Sequence, residues 1–218
     1  MSSLTQHSHT KSVSCSNEEC GEDKICFCNH EIEVPFNKTI QMVWINHGDG
    51  GTRTHPIHLH GHSFHVLKMG YPSFNATSAH KLSDNTDVSC GDTPKNYCNK
   101  PTWSDSTWKN GNIPGLKLKK APQKDTLVVP TGGYTVIRFR SDNPGKWFLH
   151  CHIEMHSLQG MSLVLNEAKE KHSKPPVGFP VCNNFYNDEA RDIQYVEKSK
   201  LKGKFIPSAL FWCIFMIN

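Results

Sequence analysis

The segment "WFLHCHIEMHSLQGMSLVL", Trp147 to Leu165, places one cysteine between two histidines and follows them with a third histidine and a methionine. Thiolate, imidazole and thioether together suit copper: sulfur donors favour Cu(I), imidazole accepts either oxidation state, and a weak axial methionine belongs to electron-transfer copper sites. Zinc fits less well, because its four-coordinate sites draw on cysteine, histidine and carboxylate. Spacing restricts the fold further. If Trp147 to Ile153 is extended, Cys151 points to one side of a sheet while His150 and His152 point together to the other. One strand would then serve two metal sites. A loop eased by Gly160 would bring His156 and Met161 back over the sulfur.

Further imidazoles come from "THPIHLHGHSFHVLKMG", Thr54 to Gly70. His58 and His60 share a parity and would lie on one strand face, whereas His55 has the opposite parity and precedes the strand. The pattern of one ligand for one site and two for the other therefore repeats. The first site would contain His55, Cys151, His156 and an axial Met161; the second would contain His58, His60, His150 and His152. His62 shares the parity of His60 but follows a filled ligand set, so it reads as a supporting or packing residue. His65 faces the other way. Glu154 either accepts a hydrogen bond from a ligand imidazole or is a solvated loop carboxylate.

The rest of the chain reads as all-β. Candidate strands are Thr39 to Asn46, Ser63 to Met69, Thr126 to Pro130, Tyr134 to Ser141, Lys146 to His152 and Gly160 to Asn166, each bounded by turn formers. "YTVIRFR" alternates like a half-buried strand, and "SDNPGKW" is a turn. Short strands of this kind suggest a β-sandwich with Greek-key connections. Pro72 to Pro122 is rich in Ser, Asp, Asn, Lys and Pro and reads as a long surface insertion.

The two histidine-rich segments resemble the C-terminal copper motifs of the multicopper oxidases, "HPIHLHGH" and "HCHIEMHSLQGM", and the flanks "HSFHVLKMGYP", "LVLNEA" and "KPPVGFPVC" look most like animal laccases. The resemblance spans His30 to Phe185 and implies the cupredoxin version of the sandwich. It implies that His55, Cys151, His156 and Met161 hold a mononuclear type 1 copper, the first three as the catalytic electron-receiving set. It implies that His58, His60, His150 and His152 supply half of a type 2/type 3 trinuclear copper cluster, where dioxygen is reduced to water, with the H-C-H triplet carrying electrons between the sites. The other half belongs to N-terminal cupredoxin domains, and no matching H-x-H pair follows an aromatic-rich strand here; His7 and His9 read as a polar terminus.

Three functional readings follow. The chain is the C-terminal copper domain of a laccase-type oxidase acting on phenols or similar small reductants and dioxygen, completed by the missing domains or a second copy. Alternatively it is a mononuclear blue-copper electron-transfer module, or part of a ferroxidase. In fungal ferroxidases of the family an acid lies four positions before the residue matching His55; that position here is Gly51, and the nearest acid is Asp49.

Residues 1–29 read as a cysteine-containing extension, 30–168 as the cupredoxin domain with its insertion at about 72–122, and 169–218 as a tail. Nine cysteines less Cys151 leave eight, an even number suited to disulfides in an oxidising compartment. Cys90 and Cys98 bracket a polar loop and form the best local pair, while Cys15, Cys20, Cys26, Cys28 and Cys182 allow several pairings. Sequons at Asn37 and Asn75 point the same way, to an extracellular or cell-surface setting for the full-length family member, a secreted glycoprotein. "MSSLTQHSHTKS" has no signal-peptide layout, so the true start would lie upstream or the product would stay in the cytosol. The apolar run Phe205 to Ile217 is shorter than the ~20 residues that span a bilayer and reads as a cut-off anchor or an unstructured tail. A net charge of +4 demands no nucleic acid, and "KLKKAPQK" reads as a solvated loop.

Overall fold

The computed structural model describes residues 30–47, 54–91, 101–158, 160–178 and 211–216. In chain order its strands are β1 (Glu31–Val34), β2 (Thr39–Asn46), β3 (His55–Leu59), β4 (Phe64–Gly70), β5 (Ser73–Phe74), β6 (Lys81–Ser83), β7 (Val88–Ser89), β8 (Thr102–Trp103), β9 (Gln123–Lys124), β10 (Thr126–Val129), β11 (Gly133–Arg140), β12 (Gly145–Cys151), β13 (Ser162–Glu167) and β14 (Phe211–Met216). One short helix, α1 (Glu154–Leu158), lies between β12 and β13.

Two five-stranded sheets form the frame, ordered β1-β13-β12-β3-β10 and β14-β2-β11-β4-β9. Ile57 and Leu59 of β3, Leu149 and Cys151 of β12, and Leu163 and Leu165 of β13 point inward from the first sheet. Ile40, Met42, Trp44, Phe64, Ile137 and Phe139 meet them from the second, and Trp44 and Phe64 pack edge to face at 5.1 Å. Burying each large side chain is worth about 1.5–3 kcal/mol, so this layer supplies much of the stability. The alternation that buries every second residue of β3 and of the end of β12 leaves the others free for chemistry. The fold is the all-β, cupredoxin-like sandwich that the sequence suggests.

Five of the expected strands shift by only a residue or two, and Thr39–Asn46 matches at both ends. Three differences are larger. His55 opens β3 instead of preceding it, because Val129 pairs with it across the ladder. The short strand β1 runs parallel to β13 at the sheet edge, from Glu31 opposite Val164 to Val34 opposite Glu167. The strand β11, read as half-buried, has both faces covered, with only Arg140 exposed and Arg138 partly so.

The cause of that last difference is the segment read as an insertion. Its described part contributes Val88, Trp103 and Ile113, which are buried with Val43, Ile45, Leu67, Tyr134 and Val136 on the outer face of the second sheet. Trp103 lies edge-on to Tyr134 at 5.3 Å, and the Tyr134 hydroxyl donates to Asp87 Oδ2. Thus the polar segment carries a second, smaller core beneath its solvated surface.

The apolar run near the C-terminus is neither a bare tail nor a helix over Phe211–Met216. Its backbone forms an antiparallel edge strand on β2, from Phe211 opposite Ile45 to Met216 opposite Ile40. No helix among the described residues is long and apolar enough to cross a membrane. Cys15, Cys20, Cys26, Cys28, Cys98, Cys182, His7 and His9 lie outside the described residues. Cys90 is disulfide-bonded, and Cys151 is a buried free thiol.

Candidate metal centre

Register explains why the histidines meet. β12 runs antiparallel to β3 with Leu149 opposite Leu59, His150 opposite His58 and Cys151 opposite Ile57. Leu149 and Cys151 point into the core while His150 and His58 share the outer face. Beyond the strand end, His152 N–H donates to the Pro56 carbonyl at 2.7 Å, extending the alignment by one more residue.

On the inner side, Cys151 Sγ lies 3.7 Å from His55 Nδ1 and 3.7 Å from His156 Nδ1, and the two nitrogens are 3.2 Å apart. An ion at the centre of this triangle would lie about 2 Å from each donor, the range of metal–nitrogen and metal–sulfur bonds. His55 and Cys151 are buried and His156 is partly exposed. Burial pushes the Cys151 thiol above its ordinary range, opposed by a hydrogen bond from the Ile153 backbone. A thiolate in that place needs a compensating cation, and the donor set suits copper.

His156 reaches the triangle from α1 and not from an irregular loop. After it, Gly160 adopts φ +106, a conformation L side chains rarely take, and this lets the chain reverse. The buried Met161 is tied to both residues through its backbone: its N–H donates to the His156 carbonyl at 3.0 Å, and its carbonyl accepts from Cys151 N–H at 2.9 Å. Glu154 is exposed at the start of α1, beside Ile153, Met155 and Leu158, which are 37%, 64% and 59% exposed. Three exposed apolar side chains and one acid therefore lie in the segment that carries His156.

On the outer side, four imidazoles form a cluster. Ring centroids separate His58 from His60 by 4.7 Å, His60 from His150 by 5.3 Å, and His150 from His152 by 5.7 Å. Their free nitrogens are selected by hydrogen bonds. His58 Nδ1 lies 2.9 Å from both the Asp125 carbonyl and Thr126 Oγ1, and His150 Nδ1 donates to the Cys151 carbonyl at 2.9 Å. Each bond leaves Nε2 as the lone-pair atom, and His60 Nε2 and His150 Nε2 converge to 3.2 Å. Burial, then the neighbouring imidazoles, hold His60 below the ordinary histidine range. Burial does the same for His150, against the opposing bond to Cys151. Both shifts favour the neutral ring, the form that binds a metal.

The structure thus brings His55, Cys151 and His156 together, with Met161 in backbone contact, and gathers His58, His60, His150 and His152 on the far side. His62 joins neither group: its Nε2–H donates to Glu167 Oε2 at 2.6 Å. Asp125 and Thr126, which fix His58, and Glu167 were not picked out from the sequence. Glu167 had a signal, a carboxylate closing the apolar run "MSLVLNE". The anchors of His58 had none, because the contact runs between distant segments and uses a backbone oxygen.

A β-sandwich that places a buried cysteine and histidine with a partly exposed histidine on one side of a strand, and imidazoles on the other, carries donor sets suited to copper. Residues 2–171 match the family described as Multicopper oxidase. The chain belongs to that family. It is 34% identical over 154 residues to Laccase-22 of Oryza sativa subsp. japonica and 32% identical over 155 residues to Laccase-4 of Arabidopsis thaliana. These matches cover 68% and 69% of this chain, which spans 22% of the length of each relative. Among solved structures, the laccase from Botrytis aclada aligns at 21% identity and TM-score 0.46, over 83% of this chain and 26% of that one.

Proposed function

We propose that the chain is the C-terminal copper domain of a laccase-type oxidase. Residues 30–168 form the domain, with residues 72–122 as its insertion. His55, Cys151 and His156, with Met161 beside them, would hold the type 1 copper. His58, His60, His150 and His152 supply half of a type 2/type 3 cluster. The other half comes from further cupredoxin domains of a longer protein, as the 22% coverage of the relatives suggests. A secreted setting accompanies this reading.

The single observation that carries it is the buried sulfur–nitrogen–nitrogen triangle, with sides of 3.7, 3.7 and 3.2 Å, on the strand whose next residues face the imidazole cluster. When bound, copper supplies one-electron oxidation of a reductant and reduction of dioxygen to water. The protein's part is to hold, connect and shield. Cys151 connects the two ligand sets twice, through the chain to His150 and His152 and through its carbonyl to His150 Nδ1. The core around Cys151 excludes water, and the partly exposed His156 is the edge nearest to solvent. Exposed Met155, Leu158 and Ile153 around that edge favour an apolar, aromatic reductant such as a phenol over a hydrated metal ion.

Reconstitution of the purified chain with copper(II) tests the proposal through absorption, electron paramagnetic resonance and dioxygen uptake. One copper with an intense thiolate band, further non-blue copper and no dioxygen uptake are expected of this domain alone. Substrate-dependent uptake would mean that two copies complete the cluster. Absence of the thiolate band would sink the type 1 assignment.

A further inference from the structure

Glu167 is fully buried at the end of β13, and its carboxylate is shared between two loops. Oε2 accepts from His62 Nε2–H at 2.6 Å, and Oε1 accepts from Asn143 N–H at 2.8 Å. The His62 side chain is itself only 5% exposed and lies against Phe139 and Trp147. A buried carboxylate held this way fixes whatever carries its donors, since breaking either bond leaves a desolvated acceptor.

What His62 carries is the turn that follows His60. That turn is fastened at three consecutive residues. His60 N–H donates to the Phe148 carbonyl at 2.9 Å, the Gly61 carbonyl accepts from Asn143 Nδ2 at 2.9 Å, and His62 closes on Glu167. Asn143 therefore bridges the two parts of the clasp, and its own carbonyl accepts from Trp147 Nε1 at 2.7 Å. The exposed His60 ring has no hydrogen bond to the scaffold among those observed, only the 3.2 Å approach to His150 Nε2. Its position depends on the backbone beneath it.

We infer that the His62–Glu167 pair is a positioning device for copper binding: it locks the turn after β3 so that His60 Nε2 meets His150 Nε2 at the outer cluster. The inference rests on the cluster reading proposed above, and it assigns to His62 a role through its N–H and not through its ring.

Two substitutions separate those roles. His62→Phe keeps a ring against Phe139 and Trp147 and removes the donor; His62→Gln keeps a donor and removes the ring. The full chain with each change is loaded with copper(II) alone, and non-blue copper affinity is read by competition while the thiolate band reports the inner site in the same sample. His62→Phe is expected to lower the affinity of the outer cluster 10- to 100-fold, the range for losing such support, and to change its paramagnetic hyperfine pattern. His62→Gln is expected to stay within about threefold of the unaltered chain. The thiolate band should persist in both.

A metal-free readout accompanies this: nuclear Overhauser contacts between the His60 and His150 rings, retained in His62→Gln and lost in His62→Phe. If His62→Phe keeps the ring contacts and the affinity while His62→Gln loses them, the residue only packs and the inference is overturned. If the unaltered chain shows the ring contacts but takes up no non-blue copper, the cluster reading fails instead, and the copper role of the clasp falls with it.

Discussion

Cys151 and His150 are consecutive, face opposite sides of one sheet, and are still joined by a hydrogen bond, the His150 Nδ1 donating to the Cys151 carbonyl at 2.9 Å. Side-chain alternation separates the two chemistries and the backbone reconnects them. Replacing the sulfur should therefore affect one site only. Cys151→Ser is expected to abolish the thiolate-to-copper band while non-blue copper at the imidazoles is retained within about threefold. Parallel absorption and copper titration check it, and loss of both signals would show that the sites are not separable.

Gly61 sits at φ +75, and a Cβ there would fall 2.2 Å from the Trp147 ring. Both the backbone and the space exclude a side chain. Gly61→Ala is expected to lower unfolding stability by about 2–4 kcal/mol, read as a shift of the urea midpoint.

Burial, then the hydrogen bond to Asp87 and the Asp87 charge, raise the Tyr134 hydroxyl far above its ordinary range. In the unfolded chain the same group ionises near pH 10, at about its reference value. The folded state thus keeps a proton that the unfolded state gives up, so this contribution is whole below about pH 10 and declines above it. Tyr134→Phe should flatten that alkaline decline and reduce stability at neutral pH by about 1–3 kcal/mol. Denaturant titrations at neutral and alkaline pH provide the comparison.

Trp103 anchors the insertion with 6% exposure, against Tyr134 and Trp108. Trp103→Ala is expected to cost about 3–5 kcal/mol and to speed proteolytic cleavage within residues 72–122. Retention of the thiolate band in the cleaved product would show that the inner site does not need the insertion.

The grouping of Cys151 with His55 and of His150 with His58 was legible because it depends on parity, and parity is written in the residue order of "HCH" and "HPIHLH". The strands were legible because turn formers bound each of them. Less visible were features set by distant contacts. The helix around His156 is too short to leave a periodic signal. The second core beneath the insertion depends on Val88, Trp103 and Ile113, three apolar residues scattered in a polar segment. Asp125 supports His58 through a carbonyl oxygen, which any residue at that position would offer.

The pairing of β12 with β3 has one more consequence. A slip of a single residue would turn Cys151 to solvent and drive His150 and His152 toward the core, since alternation inverts with every step. A misaligned chain would then present an exposed thiol and no inner triangle. Copper bound to the sulfur would then act as a proofreader of strand alignment, adding stability only to the one register in which the β12 sulfur meets both His55 and His156.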